Sequence, residues 1–260
     1  MPRITSSDNP RLKEAGRLIA SSRDRRKAGR CVLEGEHTIA AYHDRYGPPE
    51  ALIVVESACD QEGIRKLVEK TPSARTLIVA ESAWDGIAQF PAGIGAIAVV
   101  AAPRPQHHPS SAFFLLLDGI QDPGNVGSIL RTAAAAGVDE VLLSSQCAFA
   151  WSPKVLRAGQ GAHFHLQIFE DVDLLQWARR FPGRLVAAVA ARGISLYGVD
   201  LTPPLAIAIG NEGAGLSDAL RAAAGMAVTI PMPGGFESLN AAAAAAIFLF
   251  ECVRQRTPAE

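Results

Sequence analysis

From Phe113 onward the chain repeats one pattern: a short run that is apolar along nearly its whole length, followed by a segment with helical periodicity. The runs are Phe113–Leu117, Glu140–Leu143, Arg184–Val189, Leu205–Ile209 and Ala227–Ile230. The helical segments between them are Val126–Ala136, Pro153–Ala158, Val172–Phe181 and Leu216–Ala223. A strand without polar alternation has no face to give to water and must be covered on both sides. Helices flanking a parallel sheet meet that requirement, so the pattern predicts an α/β domain with a mostly parallel sheet. A last helix, from about Leu239 to Arg254, is apolar nearly all round and must be buried in the core or between subunits.

The stretch Ala101 to Ala112 (AAPRPQHHPSSA) has three prolines and reads as a linker, with His107 and His108 inside it. Before it, a helical segment from Pro10 to Ser22 places Leu12, Ala15, Leu18 and Ile19 on one face. Apolar runs follow at Ala51–Val55, Thr76–Val79 and Ala96–Val100. The chain therefore divides into a small α/β domain (1–100), a linker (101–112) and a larger domain (113–260).

The formal net charge of −1 conceals an uneven distribution: residues 1–30 hold nine Lys or Arg against three acidic residues. Such an excess attracts a polyanion, unless it is only a solvated helix face. Cys31, Cys59, Cys147 and Cys252 are too scattered for a disulfide framework or a zinc site, so buried thiols and no bound metal are expected. No apolar run reaches the roughly 18 uncharged residues needed to cross a membrane. The arginines near the start run directly into structured sequence, which favours a cytoplasmic protein over one carrying a transit peptide.

Three segments of the larger domain concentrate polar and glycine residues at strand ends. In the first, Leu117 to Arg131, the residues Asp122-Pro123-Gly124-Asn125 have the composition of a type II turn. Asn125 is placed to cap the next helix, and Arg131 lies nearly two turns inside it. In the second, Ile209-Gly210-Asn211-Glu212-Gly213-Ala214-Gly215-Leu216-Ser217, three glycines indicate close backbone approach around Glu212. Neither G-x-G-x-x-G at a first strand nor G-K-[ST] is present. In the third, Val228 to Asn240, a strand enters a Pro/Gly loop and Ser238 is positioned to cap the final helix. Asn240 is then an amide in the first turn of an apolar helix and needs a partner when buried.

Together, in this order and spacing, the three segments resemble the motifs of the SpoU (TrmH-like) family of RNA 2′-O-ribose methyltransferases, part of the SPOUT group. The resemblance runs from about Phe113 to Cys252. It includes Trp151-Ser152-Pro153-Lys154-Val155-Leu156-Arg157-Ala158-Gly159, where Gly159 stands in place of a frequent Ser. Weaker similarity, at Ile4-Thr5-Ser6-Ser7-Asp8-Asn9-Pro10 with Lys13 and at Leu33-Glu34-Gly35-Glu36, is to an L30e-like substrate-binding domain.

The resemblance implies a SPOUT domain with a deep trefoil knot and a homodimer with active sites near the subunit interface. It implies S-adenosylmethionine as cofactor, with Gly210, Ile230 and Leu239 at the positions that contact it. Arg131 is implied to engage the ribose hydroxyl and adjacent phosphate, positioned with the nucleotide and the cofactor's methionine part by Asn125, Glu212, Ser238 and Asn240. The RNA contacts of the first domain would include Arg11, Lys13, Arg25, Arg26 and Lys27. An L30e-like domain favours ribosomal RNA over transfer RNA as substrate. A transfer-RNA methyltransferase and a non-catalytic RNA-binding protein of the same fold are the alternatives.

Overall fold

The computed structural model describes residues 3–87, 94–202 and 204–257. The chain forms two compact units. One comprises the residues up to Arg104 together with Trp151–Phe164, and the other Pro105–Ala150 together with His165 to the C-terminus.

The first unit holds a five-stranded mixed sheet of β1 (Arg3–Ile4), β2 (Arg30–Glu34), β3 (Ala51–Val55), β4 (Thr76–Val79) and β5 (Ala96–Ala101). Its order is β1-β4-β3-β5-β2, and β5 runs antiparallel to both neighbours. Helices α1 (Pro10–Ala20), α2 (Ser22–Ala28), α3 (Glu36–Tyr46), α4 (Glu62–Lys70) and α5 (Glu81–Asp85) connect the strands. In α1, Asn9 caps the N-terminus by accepting from Arg11 N at 2.9 Å, Pro10 opens the first turn, and Leu12, Ala15 and Leu18 are buried.

The excess of basic residues is partly used up within this fold. Arg25, expected among the RNA contacts, is only 5% exposed. Its guanidinium donates to the carbonyls of Leu18 and Ile19, which α1 leaves without helical partners. Lys13 pairs with Asp8 at 2.7 Å, Arg3 with Glu56 and Arg30 with Glu14. Arg11, Lys13, Arg26 and Lys27 are exposed.

The second unit is built on a seven-stranded sheet, all of whose pairings are parallel. In chain order the first elements are β6 (Phe113–Asp118), α6 (Pro123–Ala135) and β7 (Glu140–Leu143). The chain then passes through α7 (Pro153–Gly159), which belongs to the first unit. There α7 lies against β2, and Arg157 is ion-paired with the buried Glu34 carboxylate. Next come β8 (Gln167–Phe169), α8 (Leu174–Arg180), β9 (Arg184–Ala188), β10 (Ile194–Ser195), β11 (Leu205–Gly210), α9 (Asp218–Ala223), β12 (Met226–Thr229) and α10 (Ala241–Arg256). The sheet order is β10-β12-β9-β11-β6-β7-β8.

Alternate residues of these strands serve opposite faces, as the period of two requires. Phe114, Leu116, Leu185, Ala187, Ala206 and Ala208 pack with Leu174, Leu216 and Leu220 on the side of α8 and α9. Helices α6 and α10 pack on each other. Arg256 at the end of α10 lies 3.7 Å over the buried Phe113 ring. The expected all-round burial of α10 is incomplete, because Phe250 is half-exposed.

The two linker histidines do more than connect. His107 stacks on Phe169 and its Nδ1 lies 2.6 Å from the buried Glu140 carboxylate, so this segment is fastened to β7 and β8. The cysteines are free. Burial pushes the Cys31 thiol up to about 12 and that of Cys252 up to about 11. No described helix is long and apolar enough to cross a membrane.

Candidate active site

The first segment departs from its expected turn. Pro123 is the first residue of α6 rather than the corner of a type II turn, because its fixed φ suits the first helical position. Asp122 is the cap, accepting from Asn125 N at 2.7 Å. Asn125 therefore sits inside the first turn, and its amide is free to reach outward. Its Nδ2 donates to Glu212 and its Oδ1 accepts from Asn240 Nδ2 at 3.0 Å.

The second segment folds back on itself. A Cβ on Gly210 would lie 2.2 Å from the backbone of Gly215 and Leu216, so the chain's own loop is what approaches this glycine. Asn211 and Gly215 exchange backbone hydrogen bonds of 3.0 and 2.8 Å. The Asn211 side chain accepts from Gly213 N and Ala214 N, and its Nδ2 donates to Gly119 O at 2.9 Å. Asp118, at the end of β6, accepts from Ser217 N at 2.9 Å. Asp118, Asp122 and Asn211 thus brace the site, and sequence reasoning passed over all three. The signal for Asn211 was its side chain's capacity to mimic a turn two residues on.

In the third segment Asn240, not Ser238, caps α10, accepting from Ala242 N and Ala243 N at 3.0 and 3.2 Å. Residues 238–240 precede the helix, which begins at Ala241, so Ser238 is too early to cap. Asn240 is exposed rather than buried, and both ends of its amide are engaged.

A cleft of about 610 Å³ opens across the carboxyl ends of the adjacent strands β11, β9 and β12. Ile209, Ile230, Leu239 and Phe248 give it apolar walls. Gly210, Glu212 and Ser238 line it as well, with Arg192, Arg221 and Glu237. Asn125 and Asn240 do not line it but join it through Glu212. Arg131 is exposed on α6 and makes no hydrogen bond or ion pair among the described residues, so none of the four expected positioning residues holds it by a polar contact.

A parallel sheet whose chain order reverses beside β6, with a ligand-sized cleft at the carboxyl ends of its strands, defines an α/β enzyme of the kind that binds nucleotide-like cofactors. Known proteins narrow the class. Residues 112–250 match the SpoU rRNA Methylase family. The 23S rRNA (guanosine(2553)-2′-O)-methyltransferase RlmP of Bacillus subtilis is 30% identical, over 96% of this chain and 98% of that protein. The crystal structure of the SpoU methyltransferase AviRb from Streptomyces viridochromogenes with AdoMet superposes with a TM-score of 0.83 at 28% identity, covering 95% of this chain and 99% of the other. An AdoMet-bound rRNA methyltransferase from Sinorhizobium meliloti gives a TM-score of 0.84 at 27% identity, covering 99% of both chains. The chain belongs to the SpoU methylase family.

Proposed function

We propose that this protein transfers a methyl group from S-adenosylmethionine to a ribose 2′-hydroxyl of ribosomal RNA. The observation that carries the reading is the hydrogen-bonded series Glu212–Asn125–Asn240, which draws the three family segments together at the mouth of one cleft. The cleft fits the cofactor. Its volume is that of a site for a small organic ligand, its walls are apolar enough for a purine, and Gly210 leaves backbone close to the surface.

When bound, the cofactor supplies an electrophilic methyl on a sulfonium. Gly210, Ile230 and Leu239 would hold the nucleoside part, and Glu212 and Ser238 would contact the polar remainder. A sugar hydroxyl is a weak nucleophile, so rate comes from alignment with the methyl and from a group that eases loss of its proton. Arg131 serves as that activator, engaging the hydroxyl and the adjacent phosphate. Its free guanidinium on the surface of α6 suits an anion brought by the substrate.

The first unit supplies L30e-like RNA binding through Arg11, Lys13, Arg26 and Lys27, and the second carries the trefoil knot of its family. A second copy covers the exposed Phe236 and Phe250, giving a cytoplasmic homodimer with active sites near the interface. Labelled methyl transfer to ribosomal and transfer RNA, followed by digestion to nucleosides, tests the reading. A 2′-O-methylated nucleoside from ribosomal RNA is expected. Label confined to transfer RNA or to a base atom would overturn it, and light scattering of the purified protein tests the dimer.

A further inference from the structure

We infer that Arg192 is the anion anchor of the cleft and takes the α-carboxylate of bound S-adenosylmethionine, an inference that rests on the methyltransferase reading. Residues 189–195 follow β9 and are pinned along β12. Val189 N donates to Val228 O at 2.9 Å, Thr229 Oγ1 donates to Ala190 O at 3.0 Å, and Ile194 and Ser195 pair with Val228 and Thr229. At Gly193 a Cβ would lie 2.9 Å from Thr229 N, so that residue must remain glycine for the chain to stay this close. Between these anchors Arg192 adopts φ +60°, a left-handed conformation that glycine would take at less cost. The chain nonetheless places a long cation there, on the wall of the cleft.

Among the described residues two basic side chains line this cleft, and they differ in availability. Arg221 is held by Asp218 at 2.8 Å. Arg192 has no hydrogen bond or ion pair among the described residues. The acidic lining residues are Glu212 and Glu237. This distribution complements the cofactor's own charges, a sulfonium, an ammonium and one carboxylate. The two glutamates suit the cations, and the carboxylate needs the one unengaged guanidinium, whose fork matches it bidentately.

The test uses the full-length protein and calorimetric titration with S-adenosylmethionine and with its decarboxylated analogue, which keeps both cations and lacks the anion. Arg192→Gln is expected to weaken S-adenosylmethionine about 10- to 100-fold, the effect of one charge-assisted contact. It should leave the analogue within about twofold, with Arg192→Lys recovering part of the loss. Thermal melts check that both variants fold. Equal weakening of the two ligands, or no weakening of either with a raised KM for RNA, would overturn the assignment, the latter making Arg192 a phosphate contact. Wild-type protein that binds neither ligand would overturn the methyltransferase reading itself, and this inference with it.

Discussion

The amide of Asn240 donates to the amide oxygen of Asn125 at 3.0 Å across 115 residues of chain, with Asn125 in the first turn of α6 and Asn240 the cap that precedes α10. Because Asn125 also donates to Glu212, its amide must point one way: oxygen to Asn240, nitrogen to Glu212. A fixed amide orientation of this kind sets the position of a carboxylate on the cleft wall more tightly than packing alone.

Replacing Asn125 by Asp should therefore damage the site without unfolding the protein, because it sets a second carboxylate against Glu212. Methyl transfer should fall at least tenfold with little change in melting temperature. The double variant Asn125→Ala, Glu212→Ala should lose less than the product of the single losses. Steady-state assays of the parent, Asn125→Asp, the two single alanine variants and the double variant check this, and strictly multiplicative losses in the alanine series would show that the two residues act independently.

Arg131→Ala removes a side chain that the folded chain does not use. Stability should stay within about 0.5 kcal/mol of the parent, as for an ordinary surface substitution. Cofactor affinity should be unchanged, and methyl transfer should drop about 100-fold or more. Retained transfer by the folded variant would remove the activating role.

Gly210→Ala forces a Cβ to within 2.2 Å of the Gly215–Leu216 backbone, and neither side can yield without opening the loop. The expected result is loss of cofactor binding together with a lowered melting temperature. Calorimetry and a thermal melt on one preparation decide it.

Two basic residues of the first unit should separate cleanly. Arg25→Ala leaves the carbonyls of Leu18 and Ile19 without their charged donor and should cost about 1–3 kcal/mol of stability. Lys27→Ala should leave stability alone, weaken RNA binding and flatten its salt dependence, by roughly 0.7 in the logarithmic slope for a single-stranded contact. Binding titrations at several salt concentrations, alongside urea melts, test both halves.

Acid should loosen the end of α10. A hydrogen bond from Arg254 holds the Glu251 carboxyl below its usual range, with Gln255 assisting. A lowered folded pKa means that the stabilisation is complete above the ordinary carboxylate value of about 4.3 and fades as pH falls through the lowered one. Gln255 also accepts from Leu201 N and donates to Val199 O, so the loss reaches the segment after β10. Urea midpoints between pH 5 and 2.5 should fall less steeply for Glu251→Gln than for the parent, and identical slopes would count against this account.

What could be read from the sequence was whatever rests on periodicity within one segment. The apolar runs Phe113–Leu117, Val141–Leu143 and Leu205–Ile209 became interior parallel strands because a run without polar alternation has no exposed option. Missed elements were short or had polar ends, as β2 does with Arg30 and Glu34 at its termini. The site's residue types were legible too, since Asn125, Glu212 and Asn240 stood out as polar groups at strand ends.

Their roles were not legible, because capping depends on where the helix begins to within one residue. The composition Asp-Pro-Gly-Asn fits a turn and a helix start equally well, and packing of α6 against α10 accompanies the second. The same holds for charge. Nine basic residues in the first thirty look alike along the chain, yet the fold buries Arg25, pairs Lys13 and leaves Lys27 exposed. Sequence determined which groups were present and on which kind of element, through local sterics and hydrophobic period. Tertiary structure alone decided which groups met, because hydrogen bonds between residues 87 and 115 positions apart exist only once the sheet has set its strand order.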